Sequence, residues 1–149
     1  MDAEQRAILD ALEAVAKELE APRTPADLAA ALGTIVTTTL DQHLIDVTPR
    51  HAALSRIRVG RDHRPTENYV EVTVRTPTSA VILGTRFGEL IEAGLVPEFD
   101  DPYWLTTCRA LPDGAAVSIE VIFDWVPKLE AAEPTSTVHL VRRPDGRCP

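Results

Sequence analysis

The chain is expected to adopt an α+β fold, with an N-terminal helical hairpin and a third helix packed on one face of an antiparallel sheet of about five strands. Three observations predict it. Apolar spacing changes from roughly 3.6 to 2 near residue 53. The strand-like segments follow one another through turn-forming stretches, "GRDHRPTE" and "PDG", instead of alternating with helices. The most hydrophobic run, "AVSIEVIFDW" at 116–125, sets Val117, Ile119, Val121, Phe123 and Trp125 on one strand face, which then needs a covering layer.

Residues 2–20 read as the first helix, because Ile8, Leu12, Val15 and Leu19 recur at helical spacing with charged residues off that stripe. Thr24 can cap a second helix, with Pro25 at its first position and Asp27 at its positive end. Leu28, Leu32, Ile35, Leu40 and Leu44 carry this helix to about residue 45, completing a hairpin over 2–45. Its middle, "TIVTTTL", is β-branched and depends on tertiary packing.

A sheet with an inserted helix is expected over 53–143. "ALSRIRV" and "NYVEVTVR" flank a turn and form a hairpin. "TPTSAVILGTRFGELIEAGL" predicts a third helix, capped by Ser79 and stopped at Gly94; a short strand over "AVIL" is the alternative. Strands follow at 103–111 and 116–125, joined by "PDG", and a last one at "TVHLVRR". The order is α-α-β-β-α-β-β-β, in a single domain with a frayed tail at 144–149.

The composition is that of an ordinary globular chain, 44% hydrophobic and 26% charged, and no apolar run approaches the roughly 18–20 residues of a membrane span. The acidic, amphipathic N-terminus lacks the basic start and apolar core of a signal peptide, so the expected location is cytoplasmic. Cys108 and Cys148 are accordingly expected as free thiols. A net charge of −8 argues against nonspecific nucleic-acid binding. Residues 50–64 nevertheless hold five arginines, Arg56, Arg58 and Arg61 among them, against Asp62 alone. Such a cluster suits an anion or an acidic partner surface, or simply splays into water.

Glu120 and Asp124 share the strand face opposite the apolar set and are expected to meet solvent with a mixed ladder of Arg, Glu, Thr and His from neighbouring strands. Four residues of extended chain put their Cα atoms roughly 13 Å apart, too far for a glycosidase-type pair. One of them could instead pair with His139 as a general base. His43, His51, His63 and His139 have no metal spacing, and His43 is expected near the end of the second helix. No nucleotide or serine-hydrolase motif is present, so no cofactor or metal is expected. "FDDPYW" at 99–104 offers Tyr103 and Trp104 as contact anchors, or Trp104 as a plug at the core's edge; Arg109 points away from Cys108.

Two functions are compatible with these features. The first is a small acidic protein-interaction domain without catalysis, docking a protein partner or a second copy through Arg56, Arg58, Arg61, Tyr103, Trp104 and Arg109; an immunity-type inhibitor is one form. The second is a small-molecule binder or cofactorless enzyme. Its pocket would lie between sheet and helices, lined by Trp104, Phe123 and Trp125, with His139, Glu120 or Asp124 as acid or base. Nucleic acid and membrane are not expected partners.

Overall fold

The computed structural model describes residues 1–36, 43–60, 67–93, 103–123 and 131–148. Asp2 opens helix α1 (Ala3–Glu18) by accepting a hydrogen bond from the Gln5 N–H at 2.8 Å, satisfying one of the donors a helix start leaves orphaned. Ile8, Leu12 and Val15 are buried on the expected stripe. Thr24 caps α2 (Pro25–Leu32) by accepting from the Asp27 N–H at 3.2 Å. Ser79 caps α3 (Ala80–Phe87) through Ile82 N–H, so residues 80–83 are helical.

Among the described residues the remaining elements are strands β1 (Gly33–Ile35), β2 (Leu44–Pro49), β3 (Leu54–Gly60), β4 (Tyr69–Thr78), β5 (Ile91–Glu92), β6 (Tyr103–Ala110), β7 (Ala116–Phe123) and β8 (Thr135–Arg143). They form one antiparallel sheet in the order β1-β2-β3-β4-β8-β7-β6-β5. The last strand thus lies in the middle, joining the β3–β4 hairpin to the β6–β7 hairpin.

Register aligns the apolar sets into rows across the sheet. Ile45, Val59, Val70, Leu140 and Ile119 are successive cross-strand partners, as are Val47, Ile57, Val72 and Val138. All nine are buried and belong to one core with the α1 stripe, Leu28 and Leu83. Each such side chain contributes about 1.5–3 kcal/mol relative to exposure.

The α+β class and the one-sided helical layer agree with expectation; the strand count does not. The second helix ends at Leu32 instead of running to residue 45, and β1 and β2 occupy part of that segment. Its β-branched residues favour strand pairing once a partner is available, and Gly33 meets the β2 backbone closely. A Cβ at Gly33 would lie 2.1 Å from the Thr48 carbonyl oxygen. The third helix stops at Gly88, not Gly94, because Gly88 takes φ +101, a left-handed conformation suited to glycine. His43 consequently precedes a strand and not a helix end.

The cysteines are not free thiols. Cys108 on β6 and Cys148 in the C-terminal segment form a disulfide, with Cα atoms 5.8 Å apart. The segment behind it is tied down: Gly146, at φ +71, packs so closely on the β6–β7 turn that a Cβ there would stand 2.4 Å from the Gly114 carbonyl oxygen. That turn is the expected one, with Gly114 at φ +89.

Candidate functional site

Period-two alternation sends the second set of side chains to the sheet face opposite the helices. Register then lines up Asp46 (β2), Arg58 (β3), Glu71 (β4), His139 (β8), Glu120 (β7) and Thr106 (β6) as consecutive cross-strand partners. Neighbouring strands are about 4.8 Å apart, so His139 stands between two carboxylates roughly one strand away on either side. Tyr69, two residues before Glu71, and Ser118, two before Glu120, share this face, as do Trp104 and Ile122 at its β6–β7 end.

This face was expected to meet solvent. Instead Ser118 is fully buried, Glu120 is 7% exposed and His139 9%. Because β8 enters between β4 and β7, Glu120 and His139 sit inside the sheet, with neighbours on both sides. Burial of such groups demands partners. Arg143 supplies them from two residues beyond Val141, its Nη2 donating to Glu120 Oε1 at 2.7 Å and its Nε to Ser118 Oγ at 3.1 Å. Ser118 in turn donates to Glu120 Oε1 at 3.2 Å. Oε1 therefore carries both contacts, and among the described residues Oε2 has no partner.

Tyr69 Oη lies 2.5 Å from His139 Nδ1. Burial raises the phenol to about 12, assisted by the charges of Glu71 and Glu120 and opposed by Arg58. The phenol is thus protonated in the physiological range, and its hydroxyl and the imidazole Nδ1 share one hydrogen bond. Toward β2, Asp46 Oδ1 accepts from Arg58 Nε at 3.1 Å and from Arg56 at 3.1 Å. On the described part of this face Asp46, Glu71 and Glu120 are set against Arg56, Arg58, Arg75 and Arg143.

The expected binding residues are dispersed. Arg56 and Arg58 converge on one carboxylate, with the Arg56 side chain still 51% exposed. Trp104 lies on the polar face, its indole Nε1 buried without a partner among the described residues. Arg109 is on the helical side, donating to both Glu13 oxygens at 3.0 and 3.3 Å and lying over the Phe87 ring. Tyr103 pairs with Phe123 in backbone register. Arg61, His63, Asp124 and Trp125, and the side chains of Tyr103 and Phe123, lie outside the described residues.

The pocket expected between sheet and helices is not where Glu120, His139 or Trp104 reside, since alternation turns all three away from that layer. A cavity beneath α1, lined by Ala16, Arg109, Val117 and Ile119 among others, measures about 10 Å³, room for at most a single water. Sequence reasoning singled out Glu120 and His139 but missed Tyr69 as a site residue. The signal was present, because Tyr69, Glu71 and Thr73 form one alternating set in "NYVEVTVR". No grouping of three or more metal-ligating side chains occurs among the described residues, and no helix there is long and apolar enough to cross a membrane. No protein-family model, curated protein or solved structure matches this chain.

Proposed function

We propose that this protein binds a small polar ligand on the sheet face opposite its helices, in a site organised by Glu120, His139 and Tyr69. One observation carries the reading: a carboxylate and an imidazole that are register partners on adjacent strands are 7% and 9% exposed, away from the helical core. Clustered, buried titratable groups mark binding sites more often than docking surfaces, which are built from accessible side chains. Pairing of Arg56 and Arg58 with Asp46 supports a neutral ligand region and argues against a nucleic-acid face. The test is a polar fragment collection titrated into nitrogen-labelled protein. Saturable shifts at the amides of Tyr69, Glu71, Glu120 and His139 are expected. Shifts confined to the helical side, or none at all, would refute the site.

A second reading, a protein-interaction domain docking a partner or a second copy, is favoured by a different feature. Val81 is 55% exposed beside a groove of about 320 Å³ lined by Ala80, Gly84, Thr85 and Leu90. Val81→Asp would then abolish a concentration-dependent rise in sedimentation coefficient; a monomer at every concentration, with no captured partner, removes this reading. On compartment, a cytoplasmic location and a closed Cys108–Cys148 bridge are alternatives, because cystines persist where surroundings are oxidising. A thiol count on protein purified without reductant separates them.

A further inference from the structure

We infer that the ligand presents a neutral hydrogen-bond donor and acceptor side by side, as a lactam, carboxamide or ureido group does. This rests on the reading of the polar face as a ligand site and names what that site selects. Two protein atoms there have unmet hydrogen-bonding capacity of opposite kinds. Glu120 Oε1 is committed to Arg143 and Ser118, while among the described residues Oε2 has no donor. The Trp104 indole N–H is buried with no acceptor among the described residues.

The two are neighbours. Trp104 is the register partner of Ile122, which places Glu120 diagonally across the same face. Such diagonal positions lie about 7–8 Å apart, within reach of long and aromatic side chains. A group that accepts from the indole and donates to Oε2 would satisfy both at once, and a buried N–H without an acceptor is costly to leave unmet.

Charge selects the neutral class. Arg143 already balances Glu120 at 2.7 Å, so a cation would compete with a guanidinium held in place, and an anion would face Glu71 and Glu120. Ile122, on the same face, and Ile91, 59% exposed on the adjoining edge strand, offer apolar contact to the rest of such a molecule.

The experiment uses the full chain, nitrogen-labelled, with three probes of one shape: pyrrolidinone, N-methylpyrrolidinone and the pyrrolidinium cation. The Trp104 indole resonance is assigned by its loss in Trp104→Phe, whose remaining spectrum reports an intact fold. Pyrrolidinone is expected to shift that resonance downfield and saturably, binding about tenfold more tightly than its N-methyl analogue, which lacks the donor. Trp104→Phe should weaken pyrrolidinone binding by a similar factor, read at the Glu120 amide. Equal affinity for both lactams overturns the donor–acceptor pairing. Saturable binding of pyrrolidinium alone overturns the neutral class but leaves the face as a ligand site. If no probe binds while the fragment collection does, this inference falls alone. If the collection fails too, the underlying reading falls with it.

Discussion

Removing the Cys108–Cys148 bridge, by Cys108→Ser with Cys148→Ser, is the most direct test of how the C-terminal segment is held. The bond closes a loop with a sequence separation of 40. Cross-linking a loop of that length withdraws unfolded-chain entropy worth about 4 kcal/mol at room temperature on the loop-closure model. Part of this is offset in the folded protein, since residues 144–148 gain freedom once released, at roughly 1–2 kcal/mol for each residue that truly disorders. The segment keeps some local anchorage, with Gly146 N–H donating to the Arg143 carbonyl at 3.1 Å and Arg147 N–H to Asp145 Oδ1 at 3.0 Å. The net expected loss is therefore about 2–4 kcal/mol. Urea denaturation monitored by tryptophan fluorescence measures it, and the variant's m-value should be larger because its unfolded chain is less compact. Wild-type protein unfolded in reductant should reproduce the variant. Identical midpoints and slopes for all three samples would refute the reasoning, as would two reactive thiols in untreated protein.

Arg142, with its side chain 4% exposed, donates from Nη1 to the Leu19 and Glu20 carbonyls at 3.0 and 2.8 Å, binding the end of the first helix to the sheet. Arg142→Ala is expected to cost about 3 kcal/mol in urea denaturation, given about 1.5–3 kcal/mol for a hydrogen bond from a charged group and incomplete additivity. The same guanidinium holds the exposed Asp113 carboxyl below the usual aspartate range. Its stabilising contribution is therefore present above the unfolded-state value and lost as pH falls through the lowered folded value; carbon NMR titration should show that midpoint rising in Arg142→Met. The Tyr69 phenol, raised to about 12, acts in the opposite sense: its contribution is complete below the unfolded value of 10.0 and is lost as pH climbs toward 12. Tyrosinate absorbance should show one late-titrating phenol that disappears in Tyr69→Phe. Gly33→Ala would drive a Cβ against the Thr48 carbonyl, costing about 1–3 kcal/mol and raising amide exchange in β1 and β2; unchanged exchange would contradict that close approach.

The parts of this molecule legible in its sequence are those whose structure is specified locally. Thr24 and Ser79 mark helix starts through their own side-chain chemistry, and the alternation in "NYVEVTVR" and "AVSIEVIF" identifies two central strands. β1 and β5, with three and two residues, carry no period of their own and exist through their partners. The site was half legible for a related reason. Glu120 and His139 stood out as chemically apt, but their placement side by side inside the sheet follows from the last strand entering between β4 and β7, and no local pattern in "TVHLVRR" specifies its neighbours. The cysteines likewise gave no sign of meeting, being brought together by the turn after Arg143.

The sheet's brevity at its margins has a further consequence. Among the described residues the outermost strands are three and two residues long, whereas the strands between β2 and β6 run from seven to ten. A foreign polypeptide seeking to extend the ladder finds few backbone groups to grip on β1 or β5, and β3, β4, β8 and β7 are shielded by siblings on both sides, which leaves the stretches of β2 and β6 beyond those short partners as the flanks it would have to reach. Growth of the folded molecule by strand addition is accordingly confined to those flanks, and the central strands join amyloid-type association only in chains that have already unfolded.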